Sequence, residues 1–196
     1  MSKSKLWRLG LVLEYLTLAW NVIGFPITMY SGSQTGSIAL VGFSLDSVIE
    51  IGASIIVIWQ LNDSNNKQRE RLALRLIGIA FLLQAVYVLF QSVNVLFSQT
   101  IPQTSIFGII WQALTFIVML SLAAGKAYTG NKLDNITLKT EARVTLIDAY
   151  LAASVMTGLL LNSLLGWWWA DPLAGFVIVF YGFKEGWHAW TEGTVL

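Results

Sequence analysis

Asp46 and Glu50 stand four residues apart in an otherwise apolar run, Leu45-Asp46-Ser47-Val48-Ile49-Glu50-Ile51. On a helix that spacing puts both carboxylates on one face, with Cβ atoms about 5 to 6 Å apart. Ser47 and Ser54 share the face, while Val48, Ile49, Ile51, Ile55 and Ile56 cover the others. Two further stretches repeat the arrangement, Glu14 with Thr17 and Asn21, and Glu141 with Thr145 and Asp148. Carboxylates gathered in this way either hold protons, through mutual repulsion and desolvation, or bind a cation.

The elements that carry these stripes are membrane helices. Of the 196 residues, 56% are hydrophobic and only 12% charged, where about a quarter would be charged in a soluble domain. Mean hydropathy is +0.66. Six stretches have the roughly 20 apolar residues that cross a hydrocarbon core of about 30 Å. They span about 6–30, 36–61, 72–98, 105–125, 140–164 and 168–190, and the expectation is a single transmembrane domain over 1–196. The longest connection is Lys126 to Lys139. The first stretch is too long for a signal peptide and carries Glu14 and Asn21 inside it.

Threaded in this way, the basic residues fall on one side. Lys3, Lys5 and Arg8 precede or open the first span; Lys67, Arg69, Arg71 and Arg75 surround the second connection; Lys126, Lys132, Lys139 and Arg143 surround the fourth; Lys184 lies near the C-terminus. The first, third and fifth connections have no Lys or Arg. The positive-inside rule then predicts that both termini are cytoplasmic. Trp7, Trp59, Trp187 and Trp190 fall at the inner boundary and Trp167, Trp168 and Trp169 at the outer one, as an interfacial aromatic belt requires. Trp20 and Trp111 lie deeper and read as packing residues. A net charge of +1 argues against nucleic acid as a partner.

Each carboxylate inside a span costs about 2.5 to 3.5 kcal/mol to insert, which marks such groups as functional. Glu14, Asp46, Glu50 and Asp148 occupy one central band, with Asp46 roughly 15 Å from the outer edge and Glu50 about 6 Å deeper. The competing structural reading is a set of ion pairs. No Lys or Arg is available at the depth of Asp46 or Glu50, although Arg8, Arg75 and Arg143 have the reach to approach Glu14 or Asp148. The residues themselves therefore favour a cation site. His188, the only histidine, reads as interfacial. Gln84, Tyr87, Gln91 and Asn94 form a polar face on the third helix, lining a vestibule or bonding between helices. Ala149 with Ala153, and Ser154 with Gly158, read as small pairs for close helix contact. There is no cysteine, which removes disulfides and thiolate ligands.

The second span, with Gly36-Ser37-Ile38-Ala39-Leu40 ahead of Asp46 and Glu50, resembles the second helix of cation diffusion facilitator transporters. Asp148 resembles the acid of that family's fifth helix, and Gly166-Trp167 with Ala170-Asp171-Pro172 resembles its turn into the sixth. Three departures stand out. Val144 occupies the position where the family's zinc transporters place a histidine, Glu50 stands where Asp is commoner, and no counterpart of the family's cytoplasmic C-terminal domain follows. A short subgroup without that domain is the expected match. The resemblance makes Asp171 a turn residue at the outer interface.

What the resemblance implies is a homodimer that exports a divalent metal in exchange for protons by alternating access, in a bacterial plasma membrane. The expected ligands are Asp46, Glu50 and Asp148, with Glu14 added on depth. That all-oxygen set suits manganese, and the family keeps zinc in view. The metal is substrate, and no permanently bound cofactor is expected. The alternative is a non-transporting scaffold or assembly subunit whose acids pair with a partner. An intramembrane enzyme ranks lower, because the band has no nucleophile with a base beside it.

Overall fold

The structure, a computed structural model, describes residues 3–62, 67–99 and 101–195. Six helices follow one another: α1 Lys3–Thr35, α2 Ile38–Asn62, α3 Lys67–Ser98, α4 Ile106–Leu133, α5 Ile136–Leu165 and α6 Ala170–Val195. Every stretch expected to span is helical. Five of the helices are long and apolar enough to cross a membrane on those criteria alone. The sixth carries Asp171, Lys184, Glu185 and Glu192 and falls outside them. The chain is a multi-pass membrane protein.

All the helices but α2 run longer than the apolar stretches, and the connection that changes most lies between α4 and α5. Lys126 to Lys139, expected as a connection, is helical except for the turn at Asp134 and Asn135. Two local signals make that turn. Asp134 takes the left-handed conformation at φ 52 that closes α4, and the Asn135 side chain accepts the Leu138 N–H at 2.7 Å to open α5. Lys126 is thereby moved from the connection into the interior of α4. Its assignment to the basic inner loops is corrected accordingly, because the first charge after an apolar run does not end a helix whose hydrogen-bond ladder can continue.

α3 and α6 pack closely along a seam of glycines. A Cβ on Gly78 would lie 2.8 Å from the Gly186 carbonyl oxygen, and one on Gly186 would lie 2.9 Å from Leu82 Cγ. Small residues let the two backbones approach, which is how helices associate where lipid removes the hydrophobic drive. The other four helices form a bundle in which α1 packs on α2 and α4, and α4 on α5. Ala39, Leu40, Phe43, Val88, Leu151, Val155 and Ile178 join the two groups in one apolar cluster. Outward faces are apolar too, with Phe97 84% and Leu164 75% exposed.

Trp20 and Trp111 pack as expected, stacked at 5.0 Å, with Trp20 Nε1 donating to Thr115 Oγ1 at 3.2 Å. Gly158 also meets its expectation, since a Cβ there would lie 2.9 Å from the Ala170 carbonyl oxygen. The polar face of α3 divides. Gln84 is buried, whereas Tyr87 and Asn94 face outward.

Candidate functional site

α1, α2 and α5 turn their oxygen-rich stripes inward, as their spacing required. Glu14, Thr17 and Asn21 are buried on α1; Asp46, Ser47, Glu50 and Ser54 on α2; Glu141, Thr145 and Asp148 on α5. The apolar residues between them face lipid or neighbouring helices, so the polar face of each helix has only the interior to occupy.

The four candidate ligands divide into two settings. Asp46, Glu50 and Asp148 are neighbours, with the carboxyl group of Asp148 standing against those of the other two. Asp46 Oδ1 receives a hydrogen bond from Gln84 Nε2 at 3.2 Å, and Glu50 Oε2 one from Asn21 Nδ2 at 2.6 Å. No donor among the described residues reaches Glu50 Oε1 or either oxygen of Asp148. All three residues are at most 3% exposed. Neighbouring buried carboxyl groups favour a proton or a cation among them, since like charges repel strongly in a dry interior. As placed, they do not close into a cage: among the described residues, no three His, Cys, Asp or Glu form a metal-holding group.

Glu14 lies in an adjoining group, whose Lys126 and Glu141 also act on Glu50 through their charges, so a basic residue does stand near Glu50 where none was expected. Glu14 Oε2 is 3.1 Å from Lys126 Nζ, which also reaches Glu141 Oε1 at 3.2 Å and Thr145 Oγ1 at 3.0 Å. Lys126, and not Arg8, Arg75 or Arg143, is the basic partner of Glu14. Arg143 instead pairs with Glu192 at 3.0 Å, and Arg75 lies over the Trp190 ring. Asp171 stays apart from the band, at the head of α6. His188 pairs with Glu192 at 3.1 Å and is 41% exposed.

Two buried side chains, Glu185 and Lys126, stand outside the three stripes. Glu185 of α6 lines a cavity together with Asp46, Asp148, Val144 and Tyr181, with room for about one water-sized sphere, 10 Å³. Its signal is the buried register Ile178, Gly182, Glu185, Ala189 at steps of three and four. Lys126 has the same signal on α4, after Met119 and Leu122.

A family model described as the cation efflux transmembrane domain matches residues 15–195. The chain is 26% identical to transmembrane protein 163 of Xenopus laevis over 93% of its own length and 66% of the relative's. It is 29% identical to magnetosome protein MamB of Paramagnetospirillum magneticum, over 73% of the chain and 51% of MamB. An uncharacterized transporter of Synechocystis is 23% identical over 81% of the chain and 54% of the relative. The chain thus spans about half to two thirds of the length of these relatives.

Proposed function

The chain belongs to the cation efflux family, and we propose that it carries a divalent metal ion across the membrane in exchange for protons, by alternating access through Asp46, Glu50 and Asp148. The observation that carries this reading is Asp148, 1% exposed, with no donor to either oxygen and two further carboxyls beside it. An ion entering the band draws the three carboxylates inward; on its release, protons neutralise them again. Gln84 and Asn21 hold the α2 acids toward Asp148 from α3 and α1. Glu185 adds a fourth oxygen donor at the cavity.

Because Val144 contributes only an aliphatic wall to that cavity, the site is rich in oxygen and lacks imidazole, which favours manganese over zinc. A homodimer with both termini cytoplasmic, in a bacterial plasma membrane, completes the reading. Sealed vesicles containing only the purified chain test it. Mn²⁺ should accumulate in them against an opposing proton movement, and Asp148→Asn should abolish both. If the parent moves no metal, the scaffold reading takes its place.

A further inference from the structure

Met119, Leu122, Lys126 and Thr129 lie along one buried face of α4, so Lys126 enters the bundle where a core residue would. Its ammonium donates to Glu141 and Thr145 on α5 and forms an ion pair with Glu14 on α1. Lys126, Glu14 and Thr145 are fully buried. Two carboxylates therefore face one resident positive charge, and both oxygens of Glu14 are buried without a hydrogen-bond donor, Oε2 being held by the ion pair alone. Along α5, Glu141 lies about two turns, roughly 10 Å, from Asp148 on the side of the α4–α5 turn.

A simple interhelical ion pair needs one acid per base. Here a second acid is held in place as well, and the oxygens surround the ammonium as they would a bound ion. We propose that Glu14 and Glu141 form a second divalent-cation site that Lys126 keeps filled as a tethered cation, limiting the buried band to one metal ion. The proposal rests on the transport reading for the ion that arrives, while its chemistry is independent of it. Metal–oxygen distances of about 2.0 to 2.6 Å replace nitrogen–oxygen distances of 3.1 and 3.2 Å. A movement of about 1 Å by two Glu side chains is enough.

Equilibrium Mn²⁺ binding to the purified full chain in nanodiscs tests this. The parent should bind one ion in an Asp148-dependent manner. Lys126→Met should bind a second, at least roughly 100-fold tighter than any second ion on the parent, the scale set by an uncompensated buried charge. That second ion should disappear in Lys126→Met with Glu14→Gln or Glu141→Gln, and persist with Asp148→Asn. A Lys126→Met chain that gains no ion, or gains one indifferent to Glu14 and Glu141, overturns the proposal. Lys126→Gln, which retains donors for both acids, repeats the measurement. Should neither variant accumulate, Mn²⁺ in the growth medium should restore them by replacing the ammonium, and a lack of rescue overturns the proposal as well. A parent that binds nothing beside a Lys126→Met chain that binds one ion at Glu14 and Glu141 would sink the transport reading and leave this inference standing.

Discussion

The carboxylate of Asp171, at the head of α6, accepts the backbone N–H of Ile38 at 2.9 Å and that of Ala39 at 3.3 Å, and the Ser37 hydroxyl donates to its other oxygen. These are first-turn N–H groups of α2, which lack partners within their own helix. One helix thus caps another, and the negative charge meets the positive end of the α2 dipole. The Ala170-Asp171-Pro172 turn fixes the top of the very helix that carries Asp46 and Glu50.

Asp171→Ala should therefore lower stability by about 1 to 2 kcal/mol, the loss of a good cap, in thermal unfolding in detergent. Stabilisation by added Mn²⁺ should survive. A variant with unchanged melting and no response to metal would make Asp171 a ligand instead of a cap.

The three central acids should behave in the opposite way. Asp46→Asn, Glu50→Gln and Asp148→Asn keep shape and lose charge, so each should be no less stable than the parent without metal, because repulsion between neighbours is relieved. Each should also lose the gain from added metal, about 2.7 kcal/mol at 100 times the dissociation constant. Glu14→Gln differs, since it breaks a buried ion pair and should destabilise by up to about 3 to 5 kcal/mol. Equal metal responses in the parent and in all three amide variants would remove the site from this position.

Apparent metal affinity should rise with pH from about 6 to 8, since the ion competes with protons for carboxylates. Asp134 supplies the control. It is fully exposed, and the Lys139 ammonium at 2.6 Å holds its carboxyl below its ordinary value. An acid lowered in the folded state contributes above its unfolded value and loses that contribution only as pH falls through the lower folded one. That window lies far below neutrality, so Asp134→Asn should leave the binding profile unchanged. A flat profile in the parent would count against proton exchange.

Topology is open to thiol labelling, because the chain has no cysteine of its own. Cysteines at Ser33, Gln103 and Trp168 should react with an impermeant reagent from outside intact cells, and one at Asn131 only after permeabilisation. Asn65, expected on the same inner side as Asn131, lies outside the described residues. Labelling of Asn131 from outside would invert the orientation that the basic residues predict.

The six helices, their apolar surfaces and the three inward stripes are legible in the residue pattern alone. A period of 3.6 residues and the price of burying a charge in lipid act within a single helix. Asp46 with Glu50 on one face, and Glu141 with Asp148 on another, are consequences of spacing alone. Which stripe meets which side chain is a matter between helices, and it follows from their packing. Lys126 looked like a loop residue because a charge and a glycine ended the apolar count, yet the helix continues and places it among Glu14, Glu141 and Thr145. That pairing gives Glu14 a cation of its own, which Asp46, Glu50 and Asp148 do not contact. Glu185 reached the cavity because α6 follows the glycine seam of α3 rather than facing lipid all round. Depth follows from position along one helix, whereas partnership depends on the rotation and approach of several, which the packing of Gly78 against Gly186 and of Leu13 against Met119 sets.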